Sequence, residues 1–434
     1  MRRALVPLML LACSTILGAA AAQGPPDKAD AAARARIVVG FQPGVTRQQR
    51  DEVLARDGAA VRRFLGALRA ASVTVDAANR DQILARLRAE PAVAYAELDR
   101  RVSLIRPQLG ARLPLAAAAR TPDDDGFTYQ YALRDDNDHD VDATGAWERR
   151  TKCAKVAVLD TGIDPDHKDL KANLWRNDEE VPDNGLDDDN NGYVDDDRGA
   201  DLLDRHGSGA DEQGHGTQVA GIIGAIGNND RGVSGLCWKA QIMSVKFMDA
   251  EGHGHSSAAA EGIVYAVNEG AHIINASYGT VVPTEVEREA IAYAAAHDTL
   301  IVASAGNDHE DTDVHPHYPS NYPDANVISV AASTESDTLA SFSNWGNTTV
   351  DLAAPGDSIA STADGGAYIL ASGTSTAAPL VAAAAAMVRK QGDGLPFARI
   401  REVLLDNVDD KKSLKGKVAS GGRLNVRRSL SALD

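Results

Sequence analysis

Apolar runs alternate with helical segments through the second part of this chain, and this alternation limits the possible folds more than any other sequence feature. After residue 123, strand-like apolar runs lie at 155–159, 241–245, 272–275, 300–303 and 327–330, and helical patterns at 215–226, 256–268, 286–297 and 375–390. Apolar strands separated by helices predict an α/β fold, with a doubly wound, mostly parallel sheet and helices on both faces. In such sheets, ligands bind where the strands end.

Residues 35–105 follow a different pattern, in which two helices interrupt four strands. The expected strands are 36–41, 60–65, 70–75 and 93–97, with helices at 47–56 and around 83–87. This β-α-β-β-α-β order predicts a small α+β module of the ferredoxin-like type.

The charge also divides the chain into two parts. The formal net charge is −18, but residues 1–122 hold 19 Lys+Arg and 10 Asp+Glu, whereas 123–434 hold 25 and 52. An acidic main part argues against nucleic-acid binding, because phosphate recognition needs a basic surface.

The first 22 residues have the layout of a secretory signal peptide: two arginines, an apolar run, and three alanines before Gln23. A membrane anchor is the alternative, and Cys13 offers lipidation as another. No later stretch is apolar enough to span a bilayer, so we expect a secreted or periplasmic protein. Residues 23–34 are interpreted as a linker, and residues 106–125 as an exposed, cleavable one. Cys153 and Cys237 remain in the mature chain, and whether they pair is left open.

Three motifs lie where predicted strands end or helices begin. Asp160 ends an apolar run, His215 opens a helix after Gly214, and Ser375 opens another after Gly373-Thr374. A serine hydroxyl is a poor nucleophile unless a neutral imidazole accepts its proton, and the resulting imidazolium needs a buried carboxylate. The three residues could therefore form a nucleophile, its base and the group that orients the base.

With their flanking residues, the motifs resemble those of the subtilisin-like serine proteases, which carry Asp, His and Ser in this chain order. The resemblance covers 126–434 as a catalytic domain, and residues 35–105 resemble the family's inhibitory propeptide. It implies that Asp160 orients, His215 is the general base and acid, and Ser375 is the nucleophile. In the matching segment 303–307, Asn307 should donate to the oxyanion.

The resemblance also implies where a protein or peptide substrate lies. An extended chain should pair with Ser277, Tyr278 and Gly279, and Ser304, Ala305 and Gly306 should form a wall of the first specificity pocket. His317, near the base of that pocket, is a departure that favours acidic or polar side chains or is a surface histidine. Thr376 replaces the methionine that many family members carry there, which predicts resistance to peroxide.

Residues 178–204 include 12 acids and one base. The start of a calcium loop pattern runs through them, with candidate ligands Asp187, Asp189, Asn191, Tyr193 and Asp195. The bidentate glutamate that ends such loops is absent, so a solvated acidic surface is the alternative. By resemblance, a second calcium site would use Asp169 and Asn229 side chains and the Arg231 and Val233 carbonyls. No organic cofactor is implied.

The sequence thus favours a secreted endopeptidase made as a zymogen. The propeptide would inhibit the enzyme and help it to fold, and we expect the enzyme to be a monomer. The alternative is a calcium-binding surface or adhesion protein on an inactive protease scaffold. The natural substrate, cleavage preference and mature N-terminus are not specified by these patterns.

Overall fold

The computed structural model describes residues 34–113 and 122–434. The expected signal peptide with Cys13, all but the last residue of linker 23–34, and the middle of linker 106–125 lie outside the described residues. The strands in chain order are β1 Arg34–Phe41, β2 Ala60–Leu65, β3 Ala70–Asp76, β4 Val93–Leu98, β5 Arg101–Leu104, β6 Gln108–Arg112, β7 Lys152–Asp160, β8 Gly199–Asp201, β9 Lys239–Lys246, β10 His253–His255, β11 Ile273–Ala276, β12 Tyr278–Gly279, β13 Leu300–Ser304, β14 Val327–Ser333, β15 Leu352–Pro355, β16 Ile359–Ala363, β17 Ala367–Ser372, β18 Asp409–Asp410 and β19 Gly422–Arg423. The α-helices are α1 Arg47–Arg56, α2 Arg80–Ala89, α3 Ala143–Trp147, α4 His215–Gly224, α5 Ser256–Asn268, α6 Glu285–Ala296, α7 Thr374–Gln391, α8 Phe397–Asp406 and α9 Val426–Ser431.

The N-terminal module is a four-stranded antiparallel sheet in the order β2-β3-β1-β4, with α1 and α2 packed on one face. Its core consists of apolar residues that alternate along β1 and β3, such as Ile37, Val39 and Val73, against Leu54 and Leu87 from the helices. The predicted ferredoxin-like arrangement is confirmed.

The C-terminal domain is built on a nine-stranded sheet in the order β18-β19-β15-β14-β13-β11-β7-β9-β8. All neighbours in it run parallel except β18, which is antiparallel to β19. Along β7, Val156 and Val158 face the core that contains α4 and α7, whereas Ala157 and Leu159 face the core that contains α5 and α6. Helices therefore cover both faces, as the doubly wound prediction requires.

Two small sheets connect the module to the domain. Strand β5, which follows the module, lies between β10 and β12, and strand β6 adds to β17 beyond β16. The expectation of an exposed linker from Arg106 onward therefore holds only in part. The backbone of residues 108–112 is paired with β17, although all five residues are exposed.

Two further features bear on the sequence expectations. Cys153 and Cys237 are joined as a disulfide with a Cα–Cα distance of 5.9 Å, which answers the question left open above. Among the described residues, we find no helix with the length and hydropathy needed to cross a bilayer.

Candidate active site

Asp160 and His215 meet where the centre of the sheet ends. Asp160 is the last residue of β7 and His215 the first of α4, and both are buried. The His215 Nδ1 lies 2.8 Å from Asp160 Oδ1 and 2.9 Å from Oδ2. The Thr161 backbone N–H also donates to Asp160 Oδ1, at 2.8 Å. The carboxylate thus fixes the imidazole orientation and leaves Nε2 on the opposite side of the ring.

Glycine is needed for this close approach. A Cβ on Gly216, the residue after His215, would lie 2.0 Å from the Gly162 carbonyl oxygen and 3.2 Å from the Asp160 Cβ. The Gly162 carbonyl belongs to the backbone and could not move away cheaply, so the first turn of α4 packs on the turn after β7 only because residue 216 has no side chain.

Ser375 is the second residue of α7, the long central helix. A Cβ on the preceding Gly373 would lie 3.0 Å from Ser375 Oγ, 3.1 Å from Asn307 Nδ2 and 3.2 Å from Pro107 Cα. The hydroxyl, the amide and the chain that leaves the N-terminal module therefore converge on one point. Ser375 Oγ and His215 Nε2 are both buried, and neither has a hydrogen-bond partner in the described part of the chain.

The side-chain amide of Asn307 is oriented by its neighbours. Its Oδ1 accepts hydrogen bonds of 2.9 Å from the backbone N–H and from the hydroxyl of Thr374. Because Oδ1 is used in this way, Nδ2 points toward the cleft, where it donates to the carbonyl oxygen of Arg106 at 3.1 Å. One carbonyl of the chain itself thus occupies the position expected for a substrate carbonyl.

The residues before Arg106 lie in the cleft as an extended strand. The Ile105 N–H donates to the Ser277 carbonyl at 3.2 Å, and Leu104 pairs with Tyr278. Gly279 pairs with Ser103. The three predicted substrate-binding residues thus contact an extended chain through their backbones, while the Tyr278 side chain is buried with its hydroxyl donating to Glu287 at 3.0 Å.

His317 lies between the two walls of the predicted specificity pocket. A Cβ on Gly279 would lie 1.9 Å from the His317 ring, and one on Gly306 would lie 3.4 Å from it. On the same wall as Gly306, Ser304 and Ala305 are fully buried. His317 is 8% exposed and not a surface residue, and burial lowers its pKa to about 4, so the ring is neutral near pH 7.

Thr376 follows Ser375 and is held by the backbone. Its hydroxyl donates to the Gly373 carbonyl at 2.8 Å and to the Gly356 carbonyl at 3.1 Å. The residue beside the candidate nucleophile is therefore a bonded hydroxyl group with no sulfur atom to oxidise.

Asp169 and Asn229, candidates for one calcium site, lie together near the end of α4. Asn229 Nδ2 donates to Asp169 Oδ1 at 2.7 Å, and the Val233 N–H donates to Asp169 Oδ2 at 3.1 Å. Arg231 belongs to the same loop. Asn229 Oδ1 is buried without a partner in the described residues, as an oxygen directed at a cation would be.

Sequence reasoning missed Asp124 at this place, because it assigned the residue to the linker. Asp124 is 1% exposed and accepts hydrogen bonds from the backbones of Asn228 and Asn229. Burial raises the pKa of Asp124 to about 6 and that of Asp169 to about 7. Within the described part of the chain, neither carboxyl has a salt-bridge partner. This donor set fits a hard cation. Its only sequence signal was a run of three acids, 123–125, just before the expected start of the domain.

The acidic stretch 178–204, called the acidic insert below, brings only part of its predicted ligand set together. Carboxylate oxygens of Asp187, Asp189 and Glu180 lie within 4.8 Å of one another. Glu180 was missed because it precedes the motif, and its Oε2 is buried without a partner in the described residues.

The remaining predicted ligands of the insert point elsewhere or serve its turns. Asn191 Nδ2 donates to Asp189 and to Asp196, at 2.9 Å each. Asp195 accepts from the Asn184 and Gly185 backbones, and the Tyr193 hydroxyl donates to Glu261 at 2.6 Å. Tyr193 could therefore offer only its main chain to a cation at the Asp187 cluster.

Two family profiles match this chain. The Subtilase family profile matches residues 151–422, and the profile of the fervidolysin N-terminal prodomain matches 20–99. Thermitase from Thermoactinomyces vulgaris is 33% identical over 294 residues, covering 67% of this chain and 93% of thermitase. A thermophilic serine proteinase from Bacillus sp. (strain AK1) is 32% identical over 391 residues, or 90% of this chain and 85% of that protein.

Solved structures agree on the fold. Fervidolysin from Fervidobacterium pennivorans superposes with a TM-score of 0.71 at 24% identity, over 92% of this chain and 61% of that one. A Staphylococcus aureus epidermin leader peptide processing serine protease gives 0.70 at 20% identity, over 92% of this chain and 98% of that one. The chain therefore belongs to the subtilase family of serine endopeptidases and carries a fervidolysin-type prodomain ahead of its subtilase domain.

Proposed function

We propose that this chain is a secreted endopeptidase that is made as a zymogen and processes itself, with Ser375 as nucleophile, His215 as general base and acid, and Asp160 as the orienting carboxylate. The observation that carries the proposal is the Arg106 carbonyl on the Asn307 amide, with the chain extended on both sides of it and with Ser375 Oγ, Asn307 Nδ2 and Pro107 all close to Gly373.

The geometry supports the following reaction. His215 holds its Nδ1 proton toward Asp160, so that Nε2 accepts the proton of Ser375 Oγ as the oxygen attacks the substrate carbonyl carbon. The carbonyl oxygen becomes an oxyanion, which the Nδ2–H of Asn307 and the backbone N–H of Ser375 stabilise. His215 then gives its proton to the amide nitrogen as the C–N bond breaks, which leaves an acyl ester on Ser375. Water, deprotonated by the same imidazole, hydrolyses this ester.

We further propose calcium as a structural ion at two places. Asp124, Asp169 and Asn229 with the carbonyls of Arg231 and Val233 would hold one ion, and Glu180, Asp187 and Asp189 with neighbouring insert groups would hold the other. Oxygen ligands, several of them carboxylates, are what this cation prefers. Its expected contribution is to tie loops together and to neutralise buried acids; no catalytic step depends on it.

The proposal is tested with the wild-type precursor and Ser375→Ala, expressed with their leader and recovered outside the cytoplasm. We expect the wild type to be cut between 106 and 125, as read by N-terminal sequencing, and to be labelled by a serine-directed fluorophosphonate. Ser375→Ala should stay joined and unlabelled. Ser429→Ala, which changes a buried serine in α9, is the matched control and should behave as wild type. Processing of Ser375→Ala to the same N-terminus in pure form would contradict self-cleavage.

A further inference from the structure

The cleft continues beyond the candidate catalytic centre, on the side that the leaving group would take. There, β6 pairs antiparallel with β17, with Gln108 opposite Ser372 and Arg112 opposite Ile369. Strand β16 holds the other edge of β17, so within the described ranges β6 alone covers this edge. Strand addition at a free edge is a general way to bind extended polypeptides.

Backbone contact is close along this edge and side-chain contact is nearly absent. A Cβ on Gly110 would lie 3.2 Å from the Leu370 carbonyl oxygen, whereas the four side chains of β6 are all exposed. Leu109, for example, is 62% exposed. The edge of β17 thus accepts many sequences at these positions.

Selectivity begins at the next residue. The Leu113 N–H donates to the Tyr368 carbonyl at 3.1 Å, and the half-buried Leu113 side chain packs into an apolar pocket. That pocket is lined by Ala225, Val233, Ala360, Tyr368 and Leu370. Leu113 comes seven residues after Arg106, whose carbonyl is held by Asn307.

We propose that the edge of β17 and the pocket around Leu113 form a distal substrate subsite, which takes an extended polypeptide with an aliphatic residue at the seventh position after the attacked carbonyl. In the precursor, the chain's own segment 107–113 fills this subsite. The inference rests on the proposed endopeptidase function and extends it, since it makes long polypeptides better substrates than short peptides.

The test compares three fluorogenic peptides that share one sequence up to the third residue after the cleaved bond. One stops there, one continues to an eighth residue with Leu at the seventh position, and one has Asn at the seventh. They are assayed with the processed enzyme and with its Leu113→Asn variant, in which the tethered segment competes less. We expect the Leu peptide to exceed the Asn peptide in kcat/KM by about fivefold to tenfold in at least one of the two enzymes, from partial burial of one leucine.

A matched substitution provides the control. Asn for Leu at the third position, which corresponds to exposed Leu109, should change kcat/KM less than twofold. Leu370→Asn in the enzyme should remove the preference at the seventh position. Equal rates for the Leu and Asn peptides with both enzymes would overturn the distal subsite. Failure to cleave even the short peptide would instead contradict the proposed function, so the two failures are distinguishable.

Discussion

The N-terminal segment lies in the cleft in two different ways on the two sides of Arg106. Before it, β5 is paired along both edges, and its alternate side chains are buried, with Val102 at 0% and Leu104 at 7% exposure. After it, β6 is paired along one edge with all side chains exposed. Buried apolar area is the main source of association energy, so the first half should hold the prodomain and the second should be readily exchanged.

Asn307→Ala should have the largest effect on turnover, because Asn307 binds the Arg106 carbonyl, which lies between the two halves of the segment. Losing an oxyanion donor typically costs about 10²–10³ in turnover. Since the strand pairing does not involve this side chain, KM should change little, and the prodomain should lose only its one hydrogen bond to Asn307. Steady-state kinetics on a peptide substrate check this, and a large rise in KM with unchanged kcat would assign Asn307 to binding.

Leu104→Asp tests the buried half and Leu109→Asp the exposed half. Leu104→Asp removes a buried apolar side chain. This should weaken the prodomain's inhibition of the enzyme by at least about 2 kcal/mol, or about 30-fold in the inhibition constant. Leu109 projects into solvent, so its change should stay within about twofold. Because Leu109 follows the attacked carbonyl, the prodomain used to titrate activity extends to residue 113, and the titration with each variant provides both constants. Equal losses would remove the distinction between the halves.

Calcium should stabilise the half of the segment after Arg106 more than the half before it. Val233 and Tyr368 line the Leu113 pocket, and Tyr368 also hydrogen-bonds Asp169. Chelation with EDTA should therefore increase hydrogen exchange in 108–112 more than in 101–104. Exchange measured by mass spectrometry on Ser375→Ala, which keeps both segments attached, decides this, and equal changes in the two segments would contradict it.

The pH dependence of calcium stabilisation follows from the same residues. Burial raises the pKa of Asp124 to about 6 and that of Asp169 to about 7, above the usual 3.8. Without a cation, the stability that comes from the protonated carboxyls is present below about pH 4 and is lost as pH rises through 6 to 7. Calcium binds the ionised forms, so its effect on Tm should grow between about pH 5 and 8, reaching about 5 °C or more. A constant calcium effect across this range would count against the two aspartates as ligands.

The smallest expected effect is that of dilute peroxide. Thr376 has no sulfur, so activity should persist, whereas Thr376→Met should lose activity as the thioether oxidises. Residual activity after timed exposure measures both. Rapid loss in the wild type would show that another group controls oxidation.

Sequence patterns predicted most of the long elements and few of the short ones, and the ten-residue helix α8 was not predicted. Helix α5 was predicted at its observed bounds, 256–268, and five sheet strands within a few residues, because long apolar periodicities reflect burial. Strands β10, β12 and β6 were missed as elements, since each has only two to five residues and is stabilised by pairing with chain that is distant in sequence.

The same limit applies to the site. Asp160, His215 and Ser375 could be recognised because each lies in a local motif at the end of an element. Asp124 and Glu180 could not, because their partners in space are 104 and seven residues away and their neighbours in sequence form no pattern. His317 is a third case. Its place near the specificity pocket was expected, but its burial between Gly279 and Gly306 was not.

The disulfide affects what happens when the protease cuts its own chain. Cys153 and Cys237 are 84 residues apart, and the loop they close contains Asp160, His215 and the whole acidic insert. One cut anywhere in that loop, including in the exposed turn around Leu186, leaves both new ends attached to the same molecule. A nicked molecule can therefore keep His215 and Asp160 together, and it would migrate as intact protein until it is reduced.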